Sequence, residues 1–125
     1  MKKIINTTLA PAAIGPYSQA VAINGLVITS GQLPIDPSTG AFPDGIAEQT
    51  KQSLTNVKHI LTESGTDMDH VVKTTVFLSD MNNFAAMNEV YSTFFSEGAY
   101  PSRSAVEVAR LPKDALVEIE VIAQL

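Results

Sequence analysis

The chain has 125 residues, 45% of them hydrophobic and 17% charged, which is one domain's worth of globular protein with fewer charges than a chain of this size usually carries. Thirteen acidic against eight basic residues give a net charge of −5, so a phosphate backbone is repelled unless the few cations cluster, and they do not. Cysteine is absent, which excludes a disulfide framework, a thiolate zinc site and a catalytic thiol.

Met1-Lys2-Lys3 looks like the basic head of a signal peptide, but only Ile4-Ile5 follows before Asn6-Thr7-Thr8 interrupts, too short an apolar run for that role. No run approaches the ~18 apolar residues of a membrane span. Composition does not shift along the chain and no repeat is present, so the expectation is a soluble, cytoplasmic protein with a single domain over residues 1–125.

In chain order, Lys2–Asn6 reads as an edge strand. Residues 20–30 are two short apolar runs joined by Asn24-Gly25, a dipeptide that tolerates positive φ at both centres of a type I′ turn, which predicts a β-hairpin. Residues 31–45 hold three prolines and three glycines without periodicity, and a loop of that length in a compact domain is usually functional or interfacial. From Ile46, the positions Leu54, Val57, Ile60 and Leu61 recur at helical spacing, with Gly65 as the stop.

Val71–Ser79, rich in β-branched residues, reads as a strand with Val72, Thr74, Val76 and Leu78 on one face. Asn82-Asn83 is the expected cap of a second helix running to about Phe95. Its aromatic stripe of Phe84, Tyr91 and Phe95 includes Asn88, an amide that needs partners if buried. The last third reads as a strand over Ser102–Val108, a loop, and a strand over Leu116–Gln124. The order β-β-β-α-β-α-β-β implies an α+β fold, a mixed β-sheet with two helices packed on one face.

A period of two places Arg103, Ala105 and Glu107 together in the penultimate strand, opposite Ser104, Val106 and Val108. If the helices cover the valine face, Arg103 looks away from them. In the last strand Leu116, Glu118, Glu120 and Ile122 share the outer face, where apolar bulk beside low overall charge suggests contact with another subunit of a symmetric oligomer. Antiparallel pairing of these two strands would bring Arg103 to the side of Glu118 and Glu120.

The chain has two arginines, and Arg103 follows Pro101-Ser102 on a strand. Its planar fork suits a small carboxylic acid, although an ion pair with Glu118 or Glu120 is an equally simple role. Likewise the Gly15-Pro16 turn projects Tyr17 either as a pocket wall or as a core plug, and Ser30-Gly31 either admits a ligand close to the backbone or makes a bend. His59 and His70 lack the ligand set of a zinc site, and no phosphate-binding or serine-hydrolase motif occurs.

Gly15-Pro16-Tyr17-Ser18-Gln19-Ala20, Thr29-Ser30-Gly31-Gln32, Asn88-Glu89-Val90-Tyr91 and the long segment from Pro101 to Asp114 resemble the RidA/YjgF family of reactive-intermediate deaminases over essentially the whole chain. The resemblance implies a chorismate-mutase-like fold, assembled as a homotrimer with ligand clefts between subunits. It also implies cofactor-free hydrolysis of 2-imino acids, such as 2-iminobutanoate and 2-iminopropanoate released by pyridoxal-phosphate dehydratases, to 2-oxo acids and ammonia.

On that resemblance Arg103 clamps the substrate carboxylate and Glu118 positions or activates the attacking water, staying ionised if the arginine is near. Tyr17, Ser30, Gly31 and Asn88 line the cleft, and backbone groups near Ala105 hold the imine nitrogen. Ala105 departs from the family pattern, in which many relatives carry cysteine, so no thiol takes part here. A trimeric binding module that senses a 2-oxo acid without turning it over is the alternative reading, and RNA cleavage fits poorly with the charge.

Overall fold

The computed structural model describes residues 1–125. Its strands are β1 (Lys3–Ile5), β2 (Ala20–Ile23), β3 (Leu26–Thr29), β4 (Val71–Leu78), β5 (Ser102–Glu107) and β6 (Val117–Gln124), with helices α1 (Gly45–Ser64) and α2 (Phe84–Ser92). The six strands form one sheet in the order β1-β2-β3-β6-β4-β5. The expected mixed α+β layout is therefore present.

Asn24 and Gly25 adopt φ of 51° and 78°, the left-handed pair that a type I′ turn requires, and β2 and β3 pair antiparallel from Ala20–Thr29 to Ile23–Leu26. α1 ends at Gly65, whose left-handed backbone (φ 89°) lets its N–H reach the carbonyls of Leu61 and Thr62. Leu54, Val57, Ile60 and Leu61 of α1 are fully buried against Val76, Val117 and Ile119 of the sheet.

A second stripe of α1 is polar and buried. The Asn56 amide donates to the carbonyls of Leu33 (3.1 Å) and Ile35 (2.9 Å), and Gln49 bridges the Pro43 carbonyl and the Leu116 N–H. These bonds satisfy backbone groups that the 31–45 loop, lacking regular structure, cannot satisfy itself. The loop is thus held in one conformation beside the start of β6.

Three sequence expectations are corrected. α2 ends at Ser92 rather than near Phe95; Asn83 is its N-cap as expected, though without a side-chain cap bond, and Asp80 caps the 3-10 turn just before it, accepting from the Asn82 N–H at 2.9 Å. In β4 the register slips between Val71 and Lys73, so Val71 turns inward and Val72 outward, the reverse of simple alternation. Finally, β5 and β6 are not neighbours: β5 lies parallel to β4 at the sheet edge, and β6 lies antiparallel between β3 and β4. The return through α2 makes β5 a crossover from β4, and a crossover returns a parallel strand.

The face opposite the helices carries a row of apolar residues across four strands, Ile4, Val21, Ile28 and Ile122, which the register sets side by side. Ile4 and Ile28 are exposed. Ile122 is where the sequence reading put an apolar outer face; Leu116 lies just before the strand.

Candidate functional site

The parallel register aligns Arg103 with Thr74, and aligned residues of adjacent strands point the same way. Thr74 is buried under α2, so Arg103 faces the helices, while Val106, on the other face of β5, is 42% exposed. The expectation that Arg103 looks away from the helices is overturned. Val106 and Val108 do not turn inward, because an edge strand flanked by one short helix does not need an apolar inner face.

The helix side of β5 gives Arg103 a prepared seat. Its Nη1 donates to Asn88 Oδ1 at 2.6 Å, and its guanidinium carbon lies 4.7 Å from the Tyr91 ring centroid and 5.3 Å from that of Phe84. Phe84 and Tyr91 are seven residues apart, about 10 Å along a helix axis, with Asn88 between them, so the guanidinium lodges between the two rings. The polar residue in the aromatic stripe thereby finds its partner. A cleft of about 440 Å³, bordered by Asn88, Tyr91, Tyr100 and Arg103, opens in front of it.

Backbone groups face the same cleft edge. Val108 N–H donates to the Leu78 carbonyl at 2.8 Å, and in a parallel ladder alternate residues direct both backbone groups to the same neighbour. Those of Arg103 and Ala105 therefore point away from β4, off the open edge of the sheet.

Glu118 stands elsewhere. β6 aligns it with Phe77 of β4, on the face away from the helices, so Arg103 and Glu118 occupy opposite sides of one sheet. No ion pair joins Arg103 to Glu118 or Glu120. The side chain of Glu118 is half-buried, and burial followed by the neighbouring Glu120 carboxylate pushes its pKa above the ordinary value, contrary to the expectation that an adjacent arginine keeps it ionised.

Around Glu118 gathers the rest of the predicted set. Tyr17, Ser30, Gly31 and Glu118 line one cleft of about 540 Å³, together with an apolar wall from Ala12, Ile14 and Leu33. Tyr17 is 54% exposed and so is a wall rather than a core plug. Ser30 is fixed by its hydroxyl, which donates to the Ser18 carbonyl at 2.6 Å, and by its N–H, which donates to the Gln19 carbonyl at 2.8 Å.

Gly31 is required by close approach. A β-carbon there would overlap the Glu118 carboxylate and lie 2.8 Å from its Cδ. What must yield is the end of a side chain, not backbone, so the fold tolerates Gly31→Ala while the carboxylate moves. We expect that variant to keep a wild-type melting temperature while the Glu118 carboxylate is displaced, which a crystal structure of the variant checks; an unmoved carboxylate would contradict the close approach.

Some site residues carry no signal of their own in sequence. Gln19 is buried and pins the segment leading to the apolar wall, its amide donating to the carbonyls of Thr7 (3.0 Å) and Pro11 (2.8 Å) and its carbonyl accepting from the Thr7 N–H (2.7 Å). Phe84 and Tyr91 were legible only as a helical stripe. Lys113, at the rim of the Glu118 cleft, adopts a left-handed backbone (φ 56°) that neither its residue type nor its neighbours announce.

The arrangement defines a class: small α+β proteins that hold a guanidinium ready on one face at the edge of a sheet and a carboxylate on the opposite face, on an inner strand. The family model Endoribonuclease L-PSP matches residues 7–125, and the chain belongs to this family, that of RidA/YjgF. Salmonella typhimurium 2-iminobutanoate/2-iminopropanoate deaminase is 54% identical over 125 residues, covering 98% of each chain. YyfA, of the conserved Rid protein family from Yersinia pestis, superposes with a TM-score of 0.97 at 48% identity over 100% of both chains. Escherichia coli TdcF, crystallised with bound serine, has a TM-score of 0.95 at 50% identity over 98% of both.

Proposed function

We propose that this protein hydrolyses 2-imino acids, 2-iminobutanoate and 2-iminopropanoate among them, to 2-oxo acids and ammonia. The observation that carries the reading is the seat of Arg103: a guanidinium ringed by Phe84, Asn88 and Tyr91, with unused in-plane donors at an open cleft, suits a planar carboxylate. The name of the Salmonella relative, at 54% identity, supplies the substrate class.

In this reading Arg103 holds the carboxylate and the outward backbone groups of Ala105 hold the imine nitrogen. Glu118 takes a proton from water as the water oxygen bonds to the imine carbon. That proton passes on to nitrogen to give a carbinolamine; the carbinolamine hydroxyl then gives up its proton, which is relayed to nitrogen as the C=O bond forms and the C–N bond breaks, releasing ammonia and a 2-oxo acid. A carboxyl whose pKa burial raises above the ordinary value suits such a proton cycle better than an ordinary one. Tyr17, Ser30 and Gly31 wall the cleft on the water side.

Because Arg103 and Glu118 lie on opposite faces of one sheet, both reach one small substrate only if they come from different copies of the chain. We therefore read the assembly as a homotrimer with the apolar row of Ile4, Val21, Ile28 and Ile122 turned inward, each cleft pairing the Arg103 of one copy with the Glu118 of the next. Light scattering is expected to give about three times 13.3 kDa, and a stable species of 13.3 kDa would contradict the shared cleft. The net charge of −5 argues against an RNA substrate.

The deciding experiment couples the protein to a threonine dehydratase and follows decay of 2-iminobutanoate. Acceleration over the spontaneous rate is expected. Binding of 2-oxobutanoate without any acceleration would replace this reading by that of a metabolite-sensing trimer.

A further inference from the structure

We propose that Tyr91, held by Thr74, is a positioning residue that sets the pose of the Arg103 guanidinium and thereby the affinity of the cleft for a carboxylate. The inference rests on the reading of Arg103 as the clamp.

Thr74 is completely buried and Tyr91 nearly so, and their hydroxyl oxygens lie 2.7 Å apart. Apart from Arg103 and Asn88, the other side chains of the layer that holds them are apolar. The inward neighbours of Thr74 along β4 are Val76 and Leu78, and the stripe partners of Tyr91 are Phe84 and Phe95. A valine and a phenylalanine would fill the same volume with no buried polar atoms to satisfy, so packing alone does not call for the two hydroxyls.

Their common neighbour gives the reason. In the ladder Thr74 lies directly beside Arg103, and the ring of Tyr91 is the nearer of the two aromatic faces against the guanidinium. The hydroxyl bond pins the far end of that ring to β4, a strand paired on both sides, while its contact with Phe95 (4.8 Å, tilted 43°) fixes the edge. A ring tethered at its tip holds one tilt, and a guanidinium lying on it keeps one plane. Asn88 then takes one N–H, leaving the remaining donors to the cleft in a fixed direction. Burial keeps the phenol neutral, so it does not neutralise the arginine.

The test uses the full chain and 2-oxobutanoate, a stable molecule with the substrate's carboxylate. Calorimetric Kd, KM and kcat for 2-iminobutanoate, and melting temperature are measured for wild type, Arg103→Ala, Thr74→Val, Thr74→Ser and Tyr91→Phe. Thr74→Val and Tyr91→Phe are each expected to weaken Kd and raise KM by about three- to tenfold, with kcat at saturation little changed. Thr74→Ser, which keeps the hydroxyl, should restore both, and the double variant Thr74→Val/Tyr91→Phe should be no weaker than either single one.

Lower melting temperatures with unchanged Kd and KM would mean a purely structural bond and overturn the inference, as would failure of Thr74→Ser to rescue. If Thr74→Val does not fold, Tyr91→Phe, which retains the ring, decides alone. Should wild type not bind 2-oxobutanoate, or Arg103→Ala bind it equally well, the clamp reading fails and this inference with it. Loss in Arg103→Ala beside wild-type affinity in Tyr91→Phe overturns the inference only.

Discussion

Replacing Arg103 by alanine is expected to lower kcat/KM for 2-iminobutanoate by about 100- to 1,000-fold, the loss of a bidentate, charge-assisted carboxylate contact in a partly desolvated cleft. The size of the effect follows from the seat. Phe84, Asn88 and Tyr91 hold the guanidinium before substrate arrives, so little ordering cost offsets the contact when it forms. Arg103→Lys keeps the charge but not the fork or the stacking plane, and should recover only a small part of the loss. Arg103 is partly exposed at a sheet edge, so water can enter its place, and the variant should retain its fold and the mass of the wild-type assembly. Wild-type rates for Arg103→Ala in the dehydratase-coupled assay would sink the assignment of the clamp.

Glu118→Gln is expected to do two opposite things: lower kcat by about 100- to 10,000-fold, as removal of a general base does, and make the fold more resistant to heat at neutral pH. Burial, and then Glu120, favour the neutral form of Glu118 in the folded chain, so its folded-state pKa lies above the unfolded one. The stability that the neutral carboxyl contributes is complete below the unfolded pKa and is lost as pH rises through the folded pKa. Glutamine is neutral at every pH and loses nothing over that window. The melting temperature of Glu118→Gln should therefore gain on wild type as pH is raised from mildly acidic to neutral, and a gap that narrows instead would show the shift to have the other sign. In the wild type the acid limb of kcat is expected to lie above that of an ordinary carboxylate, and Glu120→Gln, which removes the second cause of the raised pKa, should move it back down.

Elements set by local chemistry were legible from sequence. Asn24-Gly25 specifies its hairpin because few residue pairs tolerate two left-handed positions in succession, and Gly65 ends α1 for the same reason. The apolar period of α1 marks its buried face, and Asn88 in the aromatic stripe of α2 announces a polar partner. The cleft residues Tyr17, Ser30, Gly31 and Glu118, separated by up to a hundred positions, were named through the resemblance of their motifs, not through any local rule.

Local residue chemistry therefore specifies the list of elements, their α+β class, an apolar outer sheet face and the chemistry of the candidate residues. Which face each strand turns to the helices was decided by tertiary structure. Alternation gives a strand two faces but not their direction, and for β5 the direction comes from its parallel place beside β4, a pairing between residues about thirty positions apart. At Val72 a slipped register reversed the parity that alternation assigns. The same long-range pairing sent Arg103 and Glu118 to opposite sides of the sheet, although alternation along β5 and β6 had placed them on one side.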